Sequence, residues 1–213
     1  MKAISQFWDL PLFRLDINQV FSGAFGVPED AFERALVLSE ALAPCILWID
    51  EIEGGITGYE AGTSGATWRI FSTFLTWMQE KTAPVFVAAT ANRIDLLPAE
   101  IIRKGRFDQV FFVDIPSEAE RADIFRVHIQ NRGNDLAGFD LSILAKGTKG
   151  WNGAEIEQCV VSAMVEAYSA ARPLQKEDLY DQMSKIVPLS TTMAEQIKAI
   201  RSWAHDRAVK AGR

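Results

Sequence analysis

The stretch Pro44-Cys45-Ile46-Leu47-Trp48-Ile49-Asp50-Glu51-Ile52-Glu53 decides how the rest of the chain is read. Its five apolar residues from Cys45 to Ile49 lack the alternation of a half-buried strand and stop abruptly at two adjacent carboxylates. Such a run suits a strand buried on both faces of a parallel sheet. In open α/β sheets the ligand crevice lies beyond the carboxyl ends of the strands, so Asp50 and Glu51 stand where a polyanion and its counter-cation would dock. One carboxylate there can hold Mg2+, and its neighbour can orient a water toward a terminal phosphate. The same residues also fit a buried strand that ends in a solvated acidic turn, so the choice rests on what surrounds them.

Upstream, residues 1–8 read as the last two turns of an amphipathic helix and 10–17 as a strand. The glycine-punctuated loop Val20-Phe21-Ser22-Gly23-Ala24-Phe25-Gly26-Val27-Pro28 follows. Pro28 and two acids then open a helix over 29–42, whose core face is Phe32, Ala35, Leu36, Ser39 and Leu42. Downstream, the run of glycines and small polar residues from Gly54 to Gly65 predicts a mobile surface loop. A helix over 66–80 comes next, then an apolar strand over 84–89 that ends in Thr90-Ala91-Asn92-Arg93. A short helix over 99–103 leads to a third apolar strand over 110–113, closed by Pro116. Strands that alternate with helices and carry unalternating cores imply a parallel sheet with helices on both faces. Beyond Pro116 the pattern becomes helical, with segments over 117–130, 141–145, 154–171 and 176–187 and a last amphipathic helix over 191–210. The expected division is an α/β part over residues 1–130 and a helical lid over 131–213.

With 48% hydrophobic and 23% charged residues, the 213-residue chain has the composition of a globular protein with a sizeable core. A net charge of -6 argues against nucleic-acid binding as its main function. Cys45 and Cys159 both lie in apolar runs and are expected to be buried free thiols in a reducing compartment, cytoplasm or plastid stroma. His128 and His205 have no metal-site spacing, and no apolar run has the length of a membrane span.

Four motifs follow one another in fixed order: Asp50-Glu51, Thr90-Ala91-Asn92, Arg103-Lys104-Gly105-Arg106-Phe107-Asp108 and Gly150-Trp151-Asn152-Gly153-Ala154-Glu155-Ile156. Together, over almost the whole chain, they resemble the AAA family of ATPases, and within it the proteins of cyanobacteria, plastids and their bacterial relatives. The resemblance implies a P-loop NTPase-like α/β sandwich with a small helical lid, usually working as a hexameric ring with ATP and Mg2+ between subunits.

Carried over by position, Asp50 resembles the Mg2+-associated aspartate of the Walker B motif and Glu51 the residue that orients the hydrolytic water. Asn92 resembles the sensor of that water and of the terminal phosphate, although many members place this Asn directly after the Thr, where this chain has Ala91. Otherwise Asn92 would cap the turn after its strand. Arg103 and Arg106 resemble paired arginine fingers offered to a neighbouring subunit; alternatively they are surface arginines favoured by a helix C-terminus. Gly153 and Ala154 resemble the lid position where backbone approaches adenine and ribose, or they simply start a helix. Phe21 and Phe25 resemble the aromatic pore loop that grips extended polypeptide, or they pack in the core.

The family's phosphate-binding motif, Gly-x-x-x-x-Gly-Lys-Ser/Thr, does not occur in the sequence. The resemblance places that loop just ahead of residues 1–8, together with the strand leading into it. Two readings follow. One is a truncated ATPase that is inactive alone; the other is a natural P-loop-less subunit that lends its arginines in trans.

Overall fold

In the computed structural model, which describes residues 1–54, 64–103 and 105–212, the quoted stretch is the middle strand of a three-stranded sheet. This strand, β2 (Cys45–Asp50), pairs in parallel with β1 (Leu12–Asp16) and β3 (Val85–Ala89), in the order β1-β2-β3. Cys45, Ile46 and Ile49 are fully buried, as the lack of alternation predicts. Each crossover between neighbouring parallel strands contains helix. Helices α2 (Ile17–Phe21) and α3 (Pro28–Ala41) link β1 to β2, and α4 (Ser64–Glu80) precedes β3.

Alternate residues of a strand face opposite ways. Cys45, Leu47 and Ile49 therefore share one face, where they cluster with Phe32 and Leu36 of α3 and with Ile70, Phe71, Phe74 and Leu75 of α4. Phe74 meets Phe32 edge-on, with ring centroids 5.9 Å apart. The two helices are also tied by Trp77 Nε1, which donates to Glu40 Oε1 at 2.8 Å. Pro28 fits the first position of α3 because the N–H it lacks would have had no partner there. On the opposite face of the sheet Phe86 meets Trp8 of α1 (Lys2–Trp8), with centroids 4.9 Å apart. After β3 come a 3-10 turn (Ile94–Leu96) and the short α5 (Ala99–Ile102). Most of the predicted glycine loop, residues 55–63, lies outside the described residues.

The strand expected over 110–113 forms, but it does not join this sheet. β4 (Phe111–Phe112) pairs in parallel with β5 (Val209–Lys210) as a separate two-stranded sheet. Phe111 is 61% exposed and Val113 79%, so this apolar run is not a doubly buried strand. The last helix is correspondingly shorter than the expected 191–210. A single turn α10 (Leu189–Thr192) is followed by α11 (Ala194–His205), and the backbone then extends so that the N–H groups of Val209 and Ala211 reach Val110 O and Phe112 O, each at 2.9 Å.

The chain forms two compact units, Met1–Asp108 and Gln109–Arg213. Helix α6 (Glu118–Gln130), which the sequence pattern grouped with the α/β part, buries Phe125 and Ile129 completely among the helices of the second unit. Their neighbours come from α7 (Leu141–Gly147), α8 (Gly153–Ser169) and α9 (Lys176–Lys185), and include Leu144, Ile156, Val160 and Leu179. Ser117 with Glu120 and Asn152 with Glu155 form reciprocal capping boxes that start α6 and α8. The buried Arg121 donates to Ala145 O from Nε and Nη2 at 3.1 and 2.9 Å, satisfying a carbonyl in the last turn of α7. Cys45 and Cys159 are buried free thiols, and burial pushes Cys159 up to about 12.

Candidate functional site at the carboxyl edge of the sheet

Because the strands are parallel, their carboxyl ends share one edge. Register puts Asp16 beside Asp50 and Ile49 beside Ala89, which brings Thr90 next to Asp50. The Thr90 hydroxyl donates to Asp50 Oδ1 at 2.7 Å and accepts the Glu51 N–H at 3.1 Å, so one side chain fixes both acids. The Glu51 backbone has φ 49°, a left-handed conformation uncommon for a residue with a Cβ, and its carbonyl accepts the Gly54 N–H at 2.7 Å. This tight turn leaves the Glu51 side chain exposed at the sheet edge.

The Asn92 amide donates from Nδ2 to Glu51 Oε1 at 3.0 Å. Ala91 occupies the position directly after the threonine, and it is Asn92 that reaches the glutamate. On the other side of Asp50, Oδ2 is paired with Arg14 Nη2 at 2.8 Å. Arg14 comes from β1, and its guanidinium lies over the Trp48 ring, 5.3 Å from the centroid. Two residues beyond Glu51, Glu53 is only 5% exposed, and its Oε1 accepts the backbone N–H groups of Asn92 and Arg93 at 2.7 and 3.1 Å.

The Asp50 carboxylate, with the Thr90 hydroxyl on its Oδ1, offers oxygen donors of the kind a hard cation such as Mg2+ takes, while no group of three acidic, His or Cys side chains that could cage a metal occurs among the described residues. Mg2+ is typically held by one or two carboxylates with the rest of its shell from water and phosphate, so a partial protein shell of this kind suits it.

Arg103 follows α5 with extended backbone and is exposed. Arg106 donates its N–H to Arg103 O at 3.3 Å, after Gly105 turns the chain with φ 91°. Its Nη1 is buried and has no hydrogen-bond partner among the described residues. Gly153 and Ala154 are the first two residues of α8 in the second unit. A Cβ added to Gly153 would meet Ile124 Cδ1 at 3.8 Å, an ordinary contact, so packing does not require the glycine. Phe21 is 8% exposed and belongs to the core with Ile17 and Val20, whereas Phe25 is 59% exposed. Of the two aromatics read as a pore loop, only Phe25 is presented to solvent.

The sequence assigns no site role to Arg14 or Glu53, and it holds Thr90 only as the first residue of the Thr90-Ala91-Asn92 motif. Thr90 has the clearest signal in retrospect, as the first polar residue after an apolar strand neighbouring β2.

A parallel α/β sheet with acids, an amide and a hydroxyl gathered at its carboxyl edge is the architecture of the P-loop NTPase-like class. The crystal structure of the FIGL-1 AAA domain shares this fold with a TM-score of 0.73 and 18% identity, over 92% of this chain and 68% of that one. The model of the ATPase family associated with various cellular activities (AAA) matches residues 1–115. The chain is 44% identical over 207 residues to the uncharacterised AAA domain-containing protein ycf46 of Pyropia yezoensis, covering 96% of this chain and 42% of that protein. It is 30% identical over 193 residues to the ATP-dependent zinc metalloprotease FtsH of Parabacteroides distasonis, covering 87% of this chain and 28% of that protein. The chain therefore belongs to the AAA family, and it spans about two fifths of the length of its ycf46 relatives. Among the described residues no helix is long and apolar enough to cross a membrane.

Proposed function

We propose that these residues form part of an AAA-type ATPase module that couples Mg-ATP hydrolysis to remodelling of a macromolecular partner. The observation that supports this best is the Asn92–Glu51 hydrogen bond of 3.0 Å, beside an Asp50 held by Thr90. Asp50 would hold Mg2+, which when bound neutralises charge on the phosphates. Glu51 accepts a hydrogen bond from the attacking water and aims its lone pair at the terminal phosphate. Asn92 keeps the Glu51 carboxylate in place and has a second amide hydrogen free for a phosphate oxygen. Arg103 and Arg106 act on the nucleotide of a neighbouring copy, where a planar permanent cation speeds phosphoryl transfer by roughly 10³ to 10⁵. Gly153 and Ala154 receive the nucleoside, and Phe25 touches the polypeptide being moved.

Turnover in this reading needs a phosphate-binding loop, which these 213 residues do not contain. The chain alone is expected to bind ATP only weakly, and micromolar affinity in a nucleotide titration would contradict this. Joined to a P-loop segment of a relative, it should hydrolyse ATP, and Glu51→Gln should reduce the rate by at least about 100-fold while nucleotide binding persists. Undiminished turnover in Glu51→Gln would remove Glu51 from the mechanism.

A second reading, a P-loop-less subunit that lends arginines in trans, draws on the exposed Arg103. It predicts that adding the chain changes the ATPase rate of an intact relative, and that Arg103→Ala with Arg106→Ala abolishes this change. An unchanged rate, or the same change with both arginines replaced, would count against it.

A further inference from the structure

The carboxylate of Glu53 is the part of this edge whose presence calls for most explanation. It is buried, yet only one of its oxygens is used. Oε1 accepts two backbone N–H groups, from Asn92 at 2.7 Å and Arg93 at 3.1 Å. Oε2 is buried with no hydrogen-bond partner among the described residues. The Arg93 guanidinium is within electrostatic reach of this carboxylate, but its Nε and Nη2 hydrogen bonds go to Asp95, at 3.0 and 2.8 Å, and none goes to Oε2. A buried carboxylate left half-satisfied is costly, and a merely structural bond to two N–H groups could be made by a neutral side chain.

The geometry points to a positioning role. We propose that Glu53 sets the place of Asn92 relative to Glu51 by clamping the segment after β3 to the turn after β2. Asn92 is then held at two points, its backbone N–H by Glu53 and its side-chain amide by Glu51. Glu51 and Glu53 leave the same turn, closed by the Gly54 N–H to Glu51 O bond. Any shift of the β3 segment is therefore transmitted to both ends of Asn92 together. Thr90 adds a third tie between the two strand ends, through Asp50 and the Glu51 N–H. The negative charge strengthens the two N–H bonds, because charge-assisted hydrogen bonds are roughly twice as strong as neutral ones. This inference rests on reading Glu51 and Asn92 as the pair that handles the water, but its structural half can be tested without that reading.

The experiment compares Glu53→Gln, Glu53→Asp and Glu53→Ala in the whole chain by NMR and amide hydrogen exchange. In Glu53→Ala the Asn92 and Arg93 amides should lose at least about tenfold in protection, and the Asn92 side-chain amide resonances should move toward those of a free amide. Glu53→Asp, which keeps the charge but withdraws it by one methylene, should do the same. Glu53→Gln, which keeps the acceptor oxygen but loses the charge, should fall between Glu53→Ala and the unaltered chain in both protection and side-chain shifts. Amides of Ile46 and Phe74, buried in the core of the same unit, serve as the control for its unfolding. If Asn92 side-chain resonances stay put in both Ala and Asp variants while the backbone amides lose protection, Glu53 is only a structural acceptor and the proposal fails. It fails equally if no variant changes either signal.

With a P-loop segment supplied, Glu53→Ala should lower kcat at least about tenfold with KM for ATP little changed, the signature of a group that acts in the transition state only. A rise in KM with unchanged kcat would overturn the role. Should Glu51→Gln itself leave turnover intact, the reading of Glu51 falls, while the NMR comparison still decides what Glu53 does to Asn92.

Discussion

Arg14 and a divalent cation compete for one oxygen. Asp50 Oδ1 is engaged by the Thr90 hydroxyl, so the oxygen open to a metal is Oδ2, which Arg14 Nη2 approaches to 2.8 Å. The two side chains are 56% and 23% exposed. An ion pair with that much solvent contributes at most about 1 kcal/mol to stability, so Arg14→Gln should cost no more than that. Its effect on cation binding should be larger. A unit positive charge about 6 Å from a divalent cation in water-like surroundings repels it by about 1.4 kcal/mol, a factor of roughly ten in affinity. At low ionic strength, Arg14→Gln should therefore bind Mn2+ roughly tenfold more tightly than the unaltered chain, as followed by electron paramagnetic resonance of free Mn2+. At about 0.15 M salt the gain should shrink to a few-fold, because the Debye length is then about 8 Å. Asp50→Asn should abolish the site in either background. Equal Mn2+ affinity with and without Arg14, alongside a clear loss in Asp50→Asn, would refute the competition.

Two further predictions concern the second unit. Asp178 is 4% exposed and accepts from Arg172 Nη1 and Nη2 at 2.7 and 2.6 Å, and the Arg172 guanidinium holds its carboxyl below the usual range. Because the folded value is depressed, the stabilisation is present above the unfolded value of about 3.9 and is lost as pH falls below it. Asp178→Asn should cost about 2 kcal/mol at pH 7 and flatten the acid limb of a urea-stability profile; an unaltered acid limb would count against the pair. Phe125 is fully buried, and Phe125→Ala should destabilise the second unit by about 3 to 5 kcal/mol in chemical denaturation, whereas a loss under 1 kcal/mol would mean that this core collapses around the gap.

The part of the fold written most clearly in the sequence is β2. Its burial on both faces forbids alternation, and the two acids mark where the sheet ends. The run over 110–113 looked similar because four apolar residues do not reveal whether one face or two will be covered. Its partner, Val209–Lys210, lies almost the whole second unit away in sequence, and neither strand has a local pattern that names the other. The last helix was expected to reach residue 210, but it ends at His205, just after its one buried residue, Ala204, and the chain then extends to join β4.

At the site, Asp50, Glu51 and Asn92 could be read because polar residues stand out after apolar strands. Arg14 could not, since an exposed arginine on a strand gives no sign of the carboxylate two strand positions along on its neighbour. Glu53 looked like one more solvated acid in a turn. Its burial follows from the tight turn at Glu51 and from the segment after β3 folding over it, both products of tertiary structure.

The pairing of β5 with β4 has a mechanical consequence. The chain enters the second unit along Phe111–Phe112 and comes back beside it along Val209–Lys210, running the same way. Tension between the entering and returning segments would thus pull the two strands lengthwise past each other. The bonds from Val209 and Ala211 would share that load instead of breaking one after the other, and the bidentate Arg201–Asp114 pair sits just beyond them as a second fastening.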